Sequence, residues 1–155
     1  MSQTSYSTEA AVAYAGMLAD CSNSARRSIS RANEESSAVA PGKPAVAGTD
    51  AETQFLLPSA DTDIFLGITV HRHGTEDPTD DGFATGEAVE LLREGAIWVI
   101  AKTQVALGDD VYWDHTTNPG TWRNDSTTAV QVPGAKFMKA TGGADELTVI
   151  EINMP

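Results

Sequence analysis

The sequence is short of several things, and each shortage excludes something. It holds one cysteine, Cys21, so no disulfide forms within the chain. It holds ten basic side chains against 22 acidic ones, a formal net charge of −12. A nucleic-acid binder displaces counterions from phosphates with Lys and Arg, so this balance excludes nucleic acid as a partner. No apolar run reaches the roughly 20 residues that span a bilayer, and a membrane is excluded with it. The run AAVAYAGMLA ahead of Cys21 resembles the apolar part of a lipoprotein signal. Asp20 stands directly before the cysteine and no Lys or Arg precedes the run, so the export reading fails and the chain is expected to stay in the cytosol where it is made. A Gly-x-Ser-x-Gly elbow, a P-loop and a dinucleotide fingerprint are all missing.

What is present is a chain of 155 residues, the length of one domain with its own core. Its charge is divided unevenly. Residues 1–44 carry four basic and four acidic groups, whereas residues 45–155 carry six and eighteen, so the later part holds the whole net charge. An acidic body repels its like, and a neutral leading segment is free to lie against something else.

The first 44 residues are rich in Ser, Ala, Asn and Arg and show no strand-like alternation before the stretch SSAVAPGKPAVAG. EAAVAYAGMLAD has the composition of a short helix, but Gly16 interrupts it and an isolated helix of that length is marginal in water. Residues 1–44 are therefore read as an N-terminal arm that orders on a partner, with a free tail as the alternative, and residues 45–155 as a β-rich body.

In the body the apolar period is two. IFLGITV sets Ile64, Leu66, Ile68 and Val70 on one face and Phe65, Gly67 and Thr69 on the other. AVELLREGAIWVIAK holds two apolar runs around Glu94-Gly95, and LTVIEIN closes the chain. TQFLL, DVYWDH, TAVQV and AKFMKA are further strand candidates, separated by Gly, Pro, Asn and Asp turns. The expected fold is mainly β, a small barrel or sandwich with an extended N-terminal arm.

Three groups of residues invite a chemical reading. In DVYWDH, Asp110, Tyr112 and Asp114 alternate with Val111, Trp113 and His115, and the two carboxylates stand about 13 Å apart at roughly 3.3 Å per residue. They cannot share a calcium ion, so the cluster reads as a Gly108-Asp109 turn followed by a strand with Val111 and Trp113 in the core. His71 and His73 face one side of an extended chain, as two zinc ligands would, but further ligands are needed. Cys21 lies in the arm, and GTEDPTDDG lacks the spacing of a calcium loop, so no metal or other cofactor is expected. Cys21 has no histidine or shaped pocket to make it a nucleophile, no catalytic residue is assigned, and the protein is not read as an enzyme. Cys21 reads as a buried, inert thiol, with a bridge to another chain under oxidising conditions as the alternative. Trp98, Trp113 and Trp122 raise the alternative of a carbohydrate-binding or host-adhesion module. Trp98 and Trp113 sit in apolar runs and read as core, and Trp122, beside a turn, reads as partly exposed.

In order along the chain, GMLAD, PGKPAV, FLGITV, GEAVELLREGAIWV, ALGDDVYW and VPGAKFMKATGGADELTVIEIN resemble the capsid cement, or decoration, proteins of tailed bacteriophages. The resemblance runs from about Gly16 to Asn153, and its departure is a long acidic insertion, HRHGTEDPTDDG. It implies a β-rich body with an extended arm, dimers or trimers on the outer surface of the capsid, and clamping of neighbouring major capsid protein subunits. On that footing Gly16, Met17, Leu18, Ala19 and Asp20 are the expected partner-binding residues, adding a strand to an exposed edge of the capsid or of another copy.

Overall fold

One strand, β5, organises the molecule. In the computed structural model, which describes residues 13–19, 26–71 and 82–155, it runs from Ala88 to Ala101 and changes neighbours halfway. The earlier strands are β1 (Arg27–Asn33), β2 (Pro44–Ala47), β3 (Gln54–Leu56) and β4 (Phe65–Thr69). The later ones are β6 (Asp110–Asp114), β7 (Trp122–Arg123), β8 (Ala129–Phe137) and β9 (Glu146–Asn153). The described residues contain no helix.

The first half of β5 pairs with β1 from Ala88 to Glu94 and with β4 at Leu91 and Leu92, and the second half pairs with β9 from Glu94 to Ala101. The change of direction is written in Arg93, Glu94 and Gly95. Arg27 and Ser28 oppose Glu94 and Leu92, which leaves Arg93 as the extra residue of a bulge. Gly95 follows at φ 132°, and a Cβ there would meet nothing closer than the Leu92 methyls at 3.6 Å. The glycine is needed for its backbone conformation and not for space.

Each half of β5 closes a ring of five strands. The order β5-β7-β6-β8-β9 returns to β5, as does β5-β4-β2-β3-β1, so the body is a closed barrel with a second ring hung on the same strand. In β8, Pro133 offers no N–H and Gly134 takes φ 76°, and the β6 ladder is interrupted between Gln131 and Lys136, beyond which β8 also pairs with β9. Both rings enclose apolar side chains. Ile97, Val99, Trp113, Trp122, Phe137, Ile150 and Ile152 pack in the barrel, and Val39, Ala45, Phe55, Phe83, Val89 and Leu91 pack in the other ring.

The mainly β expectation holds, and so do the turn at Gly108 and the burial of Val111 and Trp113. Three expectations are corrected. Residues 66–70 are buried on both faces rather than one, with Leu66 in one core and Ile68 and Val70 in the other, because β4 lies where the rings meet. Trp122 is 1% exposed and not at the surface, since β7 is wedged between β5 and β6. Trp98, expected in the core, is only partly buried, since it faces outward between the inward Ile97 and Val99. β1 lies on the arm side of the expected boundary at residue 44 and is paired with β5 at six positions.

Candidate functional site

The bend at Gly95 leaves one edge of β5 uncovered by the rings, and Gly16–Ala19 lies along it. Gly16 N–H donates to Trp98 O at 2.7 Å, Trp98 N–H to Met17 O at 2.8 Å, and Ala19 N–H to Ala96 O at 2.9 Å. Leu18 and Ile97 face each other in an antiparallel bridge, as the narrow kind of pair in which neither residue bonds the other. Leu18 packs on the barrel core, and the Tyr14 ring lies 4.4 Å from the His71 ring.

The seat for this segment is sized for glycine. A Cβ on Gly16 would fall 2.4 Å from Pro41 Cβ and 2.9 Å from the backbone nitrogens of Gly42 and His71, and φ is +83°. His71 N–H donates to Gly16 O at 2.8 Å. Gly42, at φ +77°, is held in turn by its N–H to Thr69 O and by its carbonyl, which accepts the Trp122 indole N–H, both at 2.7 Å. The buried Thr69 hydroxyl donates to Ala40 O at 3.1 Å and accepts Lys43 N–H at 2.9 Å. GMLA, PGKP, the end of FLGITV and Trp122 are thus parts of one joint between the rings. Lys43 rises from that joint, and burial, with the charge of Lys102, holds its ammonium below the usual lysine range.

Beside the slot the barrel presents an apolar flank. Ile97 and Val99 point inward, so Trp98 and Ile100 point out, opposite Val149 and Leu147 of β9. Ile100 is 47% and Met138 43% exposed, and Lys139 Nζ sits 5.0 Å over the Trp98 ring. With Trp113 and Trp122 each 1% exposed, the three tryptophans form no stacking platform.

Sequence reasoning missed the role of Asp114, which it left on the same face as Asp110. Asp114 is fully buried, and its carboxylate accepts the N–H groups of Thr116 (2.9 Å) and Thr117 (3.1 Å) and pairs with Arg123 at 2.9 Å. Arg123 also pairs with Asp125 at 3.1 Å. Burial pushes the Asp114 carboxyl up, but the Thr116 N–H, the Arg123 guanidinium and the N–H groups of Asn118 and Thr117 outweigh it and hold it below the carboxylate range. Asp-His-Thr-Thr-Asn-Pro-Gly, an Asp two residues ahead of a polar turn, is an Asx-turn signal, and it was there to be read. Asp109 closes the other turn by accepting Ala106 N–H at 2.9 Å and Asn124 Nδ2 at 2.8 Å.

Of the expected partner-binding residues, Gly16, Met17, Leu18 and Ala19 come together on β5 of their own chain. Asp20 lies outside the described residues, as do Cys21, His73 and the acidic stretch up to Asp81. His71 is 8% exposed under Tyr14, and among the described residues no group of three or more His, Cys, Asp or Glu side chains is placed to hold a metal.

The described polar groups hold turns and loops in place, and an added strand lies on an all-β body. Those features define a structural module. Residues 2–153 match the phage family described as "Structural cement protein (E217 gp24/Pam3 gp6)", and the chain belongs to that family. It is therefore a structural protein of a phage particle, associated with capsid proteins. Among solved structures, a chain from "The capsid of Myoviridae Phage XM1" shares the fold, with a TM-score of 0.74 at 16% identity over 97% of this chain and 96% of that one. No curated protein matches.

Proposed function

We propose that the protein binds the outer surface of an assembled phage head and stabilises contacts between neighbouring major capsid protein subunits. The observation that carries this reading is the cement-family match over residues 2–153. The geometry supports it with two surfaces next to each other: the strand slot on β5 and the apolar flank around Ile100 and Met138. Copies associate with one another as dimers or trimers, and the segment Gly16, Met17, Leu18, Ala19 and Asp20 makes partner contacts. The protein is made in the host cytoplasm, acts without a cofactor and catalyses no reaction.

Its mechanism is mass action. A ligand that binds only the assembled lattice stabilises that lattice by its binding free energy, about 2.7 kcal/mol at a hundredfold excess over Kd. Many weak sites on one shell act together. The test is co-sedimentation with expanded and unexpanded capsids. The protein is expected in the pellet with expanded shells, and recovery in the supernatant with both would overturn the reading.

A further inference from the structure

We propose that β5 carries a strand-exchange site, in which the Ala96–Trp98 edge of one copy takes the Gly16–Ala19 segment of a second copy in place of its own. The inference rests on the cement reading for its setting, and it names the partner of the arm as another chain of the same kind.

Four observations carry it. First, the segment belongs to neither ring. Every pairing among β1 to β9 is made without it, and of the residues packed on the barrel core only Leu18 leaves with it. A piece of this kind opens at lower cost than the body it lies on.

Second, the edge has to be refilled. With the segment gone, Ala96 O and both Trp98 backbone groups lose the partners they have here, and an open β edge of this kind is a template for another chain. The notch formed by Pro41, Gly42 and His71 selects a glycine at positive φ, so the occupant that fits is a segment built like Gly16–Ala19. A neighbouring copy supplies the same residues and remakes the same bonds.

Third, the connection is longer than its cis route requires. Leu18 faces Ile97, which sets Ala19 against Ala96, and Arg27 faces Glu94 along the same strand. Those β5 positions are two residues apart, about 7 Å. The eight residue steps from Ala19 to Arg27 reach about 26 Å when extended, several times the cis gap, and that slack is what a crossing to an adjacent body would draw on.

Fourth, charge favours the arm as the part that crosses. Residues 45–155 hold the entire charge of −12, whereas residues 1–44 are neutral, so the arm approaches a second acidic body without the repulsion between bodies. Cis and trans bonds are alike, so dilution favours cis, and crowding on a shell favours exchange.

The test uses the full-length chain with Cys21 replaced by Ser. Residues of a narrow antiparallel pair have Cα atoms about 4.5 Å apart, within disulfide range. L18C and I97C are placed on separate chains carrying different tags, mixed, and oxidised. A disulfide between the two tags joins residue 18 of one copy to residue 97 of another. Covalent heterodimer is expected, rising with concentration and falling at least tenfold when G16V is added to the L18C chain. The double variant L18C/I97C reports the cis form as an intrachain disulfide and shows that both substitutions are tolerated. Complete intrachain closure of the double variant, with no heterodimer from the mixed single variants at any concentration or on shells, would overturn the proposal. Co-sedimentation of the unmodified protein is read separately. Loss of shell binding with heterodimer intact sinks the cement reading alone, and the reverse sinks exchange alone.

Discussion

Gly16 and Gly42 pack backbone to backbone, each occupying the space the other's side chain would need. A Cβ on Gly42 would stand 2.8 Å from Gly16 N, and one on Gly16 would stand 2.9 Å from Gly42 N. The segment ahead of β1 and the loop ahead of β2 are therefore fitted to each other, with Ala15 and Pro41 on either side of the glycine pair.

Replacing Gly16 by Ala strains a positive φ and drives a methyl into Pro41, at a cost of about 1–3 kcal/mol. The cost falls on the slot and not on the rings. Hydrogen exchange at the Trp98 and Ala19 amides is expected to accelerate by about tenfold to a hundredfold. Amides that face β9 instead of the slot, such as Val99 opposite Thr148, are expected to keep their protection.

Trp122→Phe keeps most of the buried ring and removes the N–H that Gly42 O accepts. An orphaned buried acceptor costs about 1–3 kcal/mol. The urea midpoint is expected to fall with an unchanged slope, and Trp122→Ala is expected to fall further by opening a cavity, for a total of about 3–5 kcal/mol.

Asp114→Ala leaves Arg123 with one carboxylate and frees the Thr116 and Thr117 amides. Breaking a buried pair from one side costs about 3–5 kcal/mol. In a double-mutant cycle by chemical denaturation, Asp114→Ala with Arg123→Met is expected to be less destabilising than the two single effects added.

Asp109, Asp114 and Asp125 all have carboxyls held below their ordinary range. A carboxyl depressed in the folded state contributes stability that is whole above its unfolded value, about 3.9, and is lost as pH falls through the folded value. Thermal midpoints are expected to vary little on this account from about pH 5 to 7 and to drop below about pH 4. In Asp114→Asn that drop is expected to be shallower, which differential scanning calorimetry across the range checks.

Removing residues 1–32 would take most of β1 and open one ring. Removing residues 1–19 takes the slot segment and leaves β1 whole. The shorter deletion is expected to keep the far-UV spectrum of the body while its retention on expanded shells falls. Unchanged occupancy would count against a partner-binding role for Gly16–Ala19.

How far the fold could be read from the sequence depended on where each strand's neighbours lie. The apolar runs of β5 and β9 were plain because their inward residues alternate over eight paired positions. β1 was missed because RSISRAN buries only Asn33 fully and carries only Ile29 and Ala32 as apolar residues, so its pairing to β5 comes from backbone bonds that leave little trace in composition. Trp122 was misplaced because a two-residue strand is too short to show a period, and what surrounds it, β5, β6 and the Gly42 carbonyl 80 positions away, is not local in sequence. The expected partner-binding residues were picked out by resemblance. What gives Gly16 its seat, the contact with Gly42 and His71, involves residues distant in sequence.

Because the two rings hang from one strand, β5 is also the line along which tension would pass from one half of the molecule to the other. A pull along its axis loads the eight β9 pairings side by side in shear, whereas a sideways pull peels them off singly. The molecule should therefore be far stiffer in one direction than in the other, and the way it is oriented on its support decides how much stretching it resists.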